Sequence, residues 1–370
     1  MRVLVHALPT KMGGAKRHLN NMMNALASSN ETHKFFVVVN DRYDTSVFDG
    51  RVETISFPIE YSSGIKRLYL DNIEINRIIE EKKIDLLISF ANIGPFKPKC
   101  KHILFEMNAL YFCKNITPLY SFKERIGFAG KRALIRACAK NADLIVTPSK
   151  TLMKQISDSL KIPGKKFQVL HHAMQKEFCE AKENQNLFDE DKVSFLYPSH
   201  LARHKGVHIL IEALKLIEKE LLEKFEVICT FERSDDPKYY DILTKDIEKH
   251  SLGDTIRFIG HLPQEKINAL YAEADYMIYT TLCESFGFSM LEAKVFHLPA
   301  LCSDIPINRE IAKKSAKYYR WDDPYDLAKS LKFFVDRKPE DFDFEDDLLE
   351  WRWEDYAKRL IDIMEEVACG

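Results

Sequence analysis

The sequence predicts two α/β domains, each built on a parallel, doubly wound sheet, and three observations carry that reading. Short apolar strands alternate with amphipathic helices along nearly the whole chain, the pattern of repeated βαβ units. The alternation stops once, at the charged stretch KEFCEAKENQNLFDEDK after Met174, and then restarts. The length of 370 residues is long for one domain and comfortable for two. The expected boundaries are 1–175 for the first domain and 190–350 for the second, with a last helix at 353–370 packing back on the first.

Taken in order, RVLVHAL is a strand, and after the turn-like PTKMGG comes a helix with Leu19, Met22, Met23 and Leu26 on one face. KFFVVV is the next strand, the region from Ile65 to Glu81 is helical, and DLLISF, HILFE, DLIVTP and FQVL are further strands. SFKERIGFAGKRALIRACAK and KTLMKQISDSL are helices between the last of these. The second half repeats the plan with strands VSFLYP, FEVICTF, TIRFIG, YMIYT and LPALCS. Its helices are GVHILIEALKLIEKE, the segment from Tyr239 to His250, and QEKINALYAEA. WRWEDYAKRLIDIMEEVA closes the chain with Tyr356, Leu360, Ile363 and Met364 on one side.

Composition excludes several classes. Eight cysteines without a CxxC pair or regular spacing argue against a zinc ribbon and a disulfide framework, and favour a reducing cytosol. No apolar run approaches the roughly 20 residues that span a bilayer, and the N-terminal run is too short for a secretory signal. The net charge of −2 hides an asymmetry: residues 1–170 hold 27 Lys and Arg against 15 Asp and Glu, the remainder 27 against 41. A basic front half suits an anionic partner such as a phospholipid layer or a lipid diphosphate, or is a solvated surface. Nucleic acid is not expected, because no zinc-finger, RNP-like or helix-turn-helix signature is present.

In open α/β sheets ligands collect where strands lead into helices, and three such loops stand out. KMGGAK, from Lys11 to Lys16, has Gly13 and Gly14, which permit close backbone approach, but matches neither the dinucleotide fingerprint nor the phosphate loop. YPSHLARHKGVHIL gathers His200, Arg203, His204 and Lys205, a cationic set able to neutralise a diphosphate or simply a solvated basic loop. The third is CESFGFSMLEAK. In one continuous helix, Glu284 and Glu292 would stand roughly 80° apart around the axis. A loop turning at Gly287 into a helix capped by Ser285 or Ser289 places them on either side of a helix start that attracts anions. Two carboxylates there suit the hydroxyls of a sugar and a ribose, or are two solvated glutamates on a surface helix. The DD pairs at 235–236 and 322–323 are turn and cap residues, so no metal ligand set is expected.

The segment IRFIGHLPQEKINALYAEADYMIYTTLCESFGFSMLEAKVFHLPALCSDIPINREI resembles the GT-B retaining glycosyltransferases, particularly family four with its E-x7-E signature. Agreement extends backwards through HKGVHILIEAL and ADLIVTPSK to GGAKRHL, covering most of the chain in the right order. The resemblance implies two Rossmann-like domains facing a central cleft. It implies that Glu284 contacts the transferred sugar and Glu292 the ribose, and that Lys205 and the amides around Phe286, Gly287 and Phe288 hold the diphosphate. Gly13 and Gly14 would approach the donor phosphates and acceptor. His200 stands where the family usually has arginine, so Arg203 or a protonated histidine would supply the second charge. Ser285 replaces a common glycine, His297 a common small residue, and Glu106 and Asn108 occupy the neighbourhood of a usual histidine. Glu106 is therefore the candidate acceptor base.

The expected protein is a cytosolic, metal-independent hexosyltransferase without a cofactor, using a nucleotide sugar as co-substrate and a glycan or lipid-linked saccharide as acceptor. Surface polysaccharide or lipopolysaccharide assembly is the expected setting. Segment 121–141 nets +5, with Ile126, Phe128, Leu134 and Ile135 interleaved. It is either a peripheral contact with the anionic inner face of the cytoplasmic membrane or a helix packed on the sheet with a solvated basic face. The alternatives are a nucleotide-sugar epimerase of the same fold and a non-catalytic subunit binding a partner enzyme or membrane.

Overall fold

The computed structural model describes residues 1–10, 13–29, 32–90, 92–174, 185–337 and 341–370. The chain divides into two compact units: Met1–Cys113, Ser121–Met174 and Trp351–Gly370 form the first, Lys114–Tyr120 and Gln175–Glu350 the second.

Unit 1 runs through β1 (Arg2–His6), α1 (Gly13–Ser29), β2 (Lys34–Asn40), β3 (Val52–Phe57), α2 (Gly64–Tyr69), α3 (Ile75–Glu81), β4 (Leu86–Ser89) and β5 (Lys101–Phe105). It continues with α4 (Phe122–Asn141), β6 (Leu144–Thr147), α5 (Lys150–Leu160) and β7 (Phe167–Val169). Its strands are all parallel, in the order β3-β2-β1-β4-β5-β6-β7. Both faces of the sheet are covered. Val3 and Val5 enter a core with Leu19, Met22, Met23 and Leu26 of α1, while Leu4 enters another with Ile75, Ile78 and Ile79 of α3. Burial on both sides is why these strands read as continuous apolar runs such as KFFVVV.

Unit 2 runs through β8 (Val193–Tyr197), α6 (Val207–Leu214), α7 (Lys219–Leu222), β9 (Phe225–Cys229), α8 (Pro237–Lys249), β10 (Ile256–Phe258), α9 (Gln264–Glu273) and β11 (Tyr276–Tyr279). Then come α10 (Phe288–Val295), β12 (Ala300–Ser303), α11 (Pro306–Ala312), β13 (Ala316–Tyr319), α12 (Pro324–Arg337) and α13 (Asp347–Glu350). These strands are also parallel, ordered β10-β9-β8-β11-β12-β13. The last helix, α14 (Trp353–Cys369), belongs to unit 1, where Tyr356, Leu360 and Met364 complete the core against α1.

The structure departs from the sequence reading at two edge strands and at several helices: the helix expected over 206–220 ends at Leu214, with α7 following as a separate turn, and α11 and α12 fall where the sequence reading has no helix. β3 and β13 escape hydropathy analysis because they are edge strands with mixed burial. The helix expected from Ile65 to Glu81 is broken by a π-helical turn at Leu70–Glu74, which buries Asp71 and Glu74.

Unit 1 also encloses an unusual number of histidines. His6, His18, His102 and His172 are all buried. Burial, assisted by the nearby Arg17 charge, pushes His18 down to about 3, and burial pushes His102 down to about 4. Burial and neighbouring cationic groups also lower His6 and His172. The unfolded chain therefore binds protons below pH ~6.5 that the folded unit refuses, each such histidine removing about 1.4 kcal/mol of stability per pH unit. Stability should be flat above pH about 6.5 and fall steeply from there towards about pH 4. Urea melts across that range check it, with His102→Gln giving a shallower slope; a pH-independent midpoint would contradict it.

Candidate active site

The strand order of unit 2 reverses direction between β8 and β11, the place where a doubly wound sheet opens a crevice beyond its strand ends. The loops leaving those two strands carry Lys205 and Glu284, and their side chains form an ion pair. The pair is nearly enclosed, with 8% of the lysine side chain and 14% of the glutamate exposed. Tyr279 donates from its hydroxyl to the same Glu284 oxygen at 2.6 Å, and the Lys205 ammonium lies 5.6 Å from the Tyr279 ring centre. Burial alone would push the Glu284 carboxyl up, but the Lys205 charge and hydrogen bond and the Tyr279 hydroxyl outweigh it and hold it below its usual range. Glu284 is thus a carboxylate at neutral pH.

The two loops are stitched together by backbone. Leu282 N donates to His204 O at 2.8 Å, Thr280 Oγ1 to Lys205 O at 3.0 Å, and the Tyr197 hydroxyl to the same carbonyl. Gly206 is required at the junction. Its φ is +71°, and a Cβ there would stand 2.2 Å from Thr280 O. Thr230 Oγ1 accepts from Ser199 N at 2.9 Å and Asp235 from Leu201 N at 2.8 Å, fixing the start of the first loop. Asp236 caps α8 through Tyr239 N at 3.1 Å, so the acidic pair at 235–236 holds backbone.

The E-x7-E stretch is a loop followed by a helix. Gly287, with φ +94°, takes the N-cap position of α10. Ser289 instead donates to Pro198 O at 3.0 Å, and Phe286 packs edge-on to Phe288 at 5.4 Å between ring centres. Neither serine stands at the N-cap itself, which the left-handed Gly287 takes. The first amides of α10 remain those of an eight-residue helix start, with its positive dipole end. Glu284 and Ser285 lie in the loop before that start, while Glu292 lies within α10, buried and accepting from the Tyr271 hydroxyl at 2.9 Å. Tyr271 and Tyr279, which hold the two carboxylates, escape sequence reasoning; their only signal is their place just ahead of the motif.

Other expectations fare differently. His200 is surface-accessible, and partial desolvation of its ring and the Lys205 charge lower its pKa. Burial and the same charge push His204 down to about 3. Arg203 is turned towards Asp236, at 3.7 Å, and Leu119 O, at 3.4 Å. Glu106 is in unit 1, fully buried, with neither carboxylate oxygen hydrogen-bonded among the described residues. Burial raises its pKa well above the carboxylate range. Lys11 and Met12 of the KMGGAK loop lie outside the described residues; Gly13 and Gly14 form the first turn of α1.

Comparison with known proteins follows the same division. Residues 12–177 match the family described as Glycosyltransferase Family 4, and residues 179–344 match Glycosyl transferases group 1. The O-antigen chain mannosyltransferase RfbU of Salmonella typhimurium is 25% identical over 222 residues, 59% of this chain. That match spans 58% of the relative's own length, less than two thirds of it. Among solved structures, Anabaena Alr3699/HepE in complex with UDP-glucose superposes with a TM-score of 0.71 at 14% identity, covering 99% of this chain and 100% of that one. WaaG, a glycosyltransferase involved in lipopolysaccharide biosynthesis, gives 0.70 at 16% identity, covering 99% and 98%. Likeness at that identity speaks for the fold.

Proposed function

The chain belongs to the GT-B glycosyltransferases, and we propose that it transfers a hexose-type sugar from a nucleotide-diphosphate sugar to a hydroxyl of a glycan or lipid-linked saccharide during surface polysaccharide assembly. The observation that carries this reading is the buried Lys205–Glu284 pair at the switch point of unit 2. A nucleotide sugar offers each partner a replacement for the other. Its diphosphate takes the Lys205 ammonium, and its sugar hydroxyls donate to Glu284. Glu292 then accepts from the ribose hydroxyls, and the first amides of α10 face the phosphate.

In the transfer, the bond from the anomeric carbon to the phosphate oxygen breaks with its electron pair going to the diphosphate. The acceptor oxygen forms the new bond and gives its proton to the departing phosphate oxygen. Lys205 and the α10 dipole stabilise the charge growing on the leaving group, the work a divalent metal does elsewhere, so the reaction runs without one. Retention of anomeric configuration is part of the proposal, supported by the E-x7-E resemblance. Mannose is the sugar favoured by the similarity to an O-antigen mannosyltransferase.

The acceptor is proposed to be reached at an anionic membrane surface on the cytoplasmic side. Among the described residues no helix is long and apolar enough to cross a membrane. The first half of α4, however, exposes Phe122 (77%) and Ile126 (57%) beside Lys123 and Arg125, an apolar and basic pairing suited to lipid headgroups. Its second half turns Ile135, Cys138 and Ala139 inward.

Thermal-shift titration with UDP, GDP, CDP and ADP tests the donor site. One nucleotide at about 100 times its dissociation constant should stabilise the protein by roughly 2.7 kcal/mol, and Glu292→Ala should abolish the effect. Silence from all four, or an unchanged shift in the variant, would sink the assignment. For the surface contact, replacing Phe122 and Ile126 by alanine should cut co-sedimentation with phosphatidylglycerol vesicles several-fold; equal binding would refute the role of α4.

A further inference from the structure

The loop that carries Lys205 is held by a stretch of chain far from it in sequence. Lys114–Tyr120 lies between β5 and α4, both in unit 1, yet it belongs to unit 2. This short strap is a tight turn in its own right. Thr117 N donates to Lys114 O at 3.1 Å, Leu119 N to Ile116 O at 3.0 Å and Tyr120 N to Thr117 O at 3.3 Å, and the Ile116 side chain is buried. Its exit is fixed as well, because the next residue, Ser121, caps α4 in a reciprocal capping box with Glu124.

The strap meets the loop at the two residues before Lys205. The Tyr120 hydroxyl lies 3.3 Å from His204 Nδ1, Arg203 Nη1 donates to Leu119 O at 3.4 Å, and the Arg203 guanidinium lies 5.9 Å from the Tyr120 ring centre. Arg203 also faces Asp236, the cap of α8, at 3.7 Å, so strap, loop and helix start are tied at one point. Burial holds the His204 ring neutral at neutral pH, so one of its nitrogens is an acceptor for a hydroxyl. Residues 203–205 form a single 3₁₀ turn in which Lys205 N donates to Ala202 O at 2.9 Å. A hold on 203 and 204 is therefore a hold on the base of the lysine side chain.

The neighbours of Lys205 say which phosphate it serves. Its ion-pair partner, Glu284, is the carboxylate proposed for the sugar hydroxyls, while Glu292 is the one proposed for the ribose. Lys205 thus stands at the sugar end of the diphosphate, beside the phosphate that leaves. A long, flexible ammonium stem stabilises that charge only if its base is fixed, since a misplacement of about 1 Å can cost on the order of a hundredfold in rate. We infer that Tyr120 is a positioning residue for the donor: the strap from the β5–α4 connection holds residues 203 and 204 so that Lys205 meets the distal phosphate. The inference rests on the transferase reading and adds the segment of chain that aims the lysine.

The test is calorimetric titration of the full chain with UDP, GDP, CDP and ADP and with the corresponding monophosphates. In the wild type one diphosphate should bind more tightly than its monophosphate. Tyr120→Ala should weaken that diphosphate about tenfold and leave the monophosphate unchanged, because the ribose end is untouched. Tyr120→Phe, which keeps the ring beside Arg203, should take part of the same loss, and it decides the matter if Tyr120→Ala melts early. In a Lys205→Ala background Tyr120→Ala should cost nothing further, since it acts through the lysine. Equal weakening of both nucleotides would make the role merely structural and overturn the inference. Undiminished diphosphate affinity, full additivity with Lys205→Ala, or a wild type without preference for the diphosphate would overturn it too. Failure of the wild type to bind any nucleotide strikes the transferase reading itself, whereas an intact diphosphate preference that ignores Tyr120 strikes only the strap.

Discussion

The site in unit 2 depends on one buried charge pair. Taking Lys205 and Glu284 out of water is expensive, and removing one partner of such a pair typically costs about 3–5 kcal/mol because the other is left buried and uncompensated. The surrounding structure is arranged to keep both in place. Gly206 allows the lysine loop to pass against Thr280, the Tyr197 and Thr280 hydroxyls grip the Lys205 carbonyl, and Tyr279 shares the Glu284 carboxylate. A buried pair of this kind is a poor source of stability, and it makes sense as a resting arrangement that a ligand with both phosphate and hydroxyls can replace.

The same topology appears twice with different loops. In each unit the strand order reverses, between β8 and β11 in unit 2 and between β1 and β4 in unit 1, and unit 2 lines its crevice with an ion pair and a helix start. After β11 the chain turns at a left-handed glycine into α10, leaving the first amides of that helix at the crevice, whereas after β4 it passes through a left-handed asparagine. A parallel sheet thus fixes where a ligand can bind, and a few loop residues decide which.

Much of this was legible in the sequence. The βαβ alternation gave the inner strands and most helices because core burial on both faces demands long apolar runs, and the E-x7-E motif, Lys205 and their loops are contiguous enough to recognise. What stayed hidden depends on tertiary contact. β3 and β13 are half-covered edges without a clear period. At the N-cap of α10 stands Gly287 and not a serine, because the left-handed turn there favours a residue without a side chain. The polarity of Glu106 is visible in the sequence and its complete burial is not. The strap meets the Lys205 loop across 84 residues of sequence and carries no motif, so nothing local marks Tyr120.

The central claim is that the Lys205–Glu284 pair is the empty state of the donor site and is exchanged when a nucleoside diphosphate binds. A double-mutant cycle with Lys205→Met and Glu284→Gln, read from unfolding free energies with and without the stabilising nucleotide, measures this directly. The account predicts a coupling of about 1–3 kcal/mol in the free protein that collapses when the nucleotide is saturating and Lys205 turns to phosphate. Coupling of the same size in both states would contradict it.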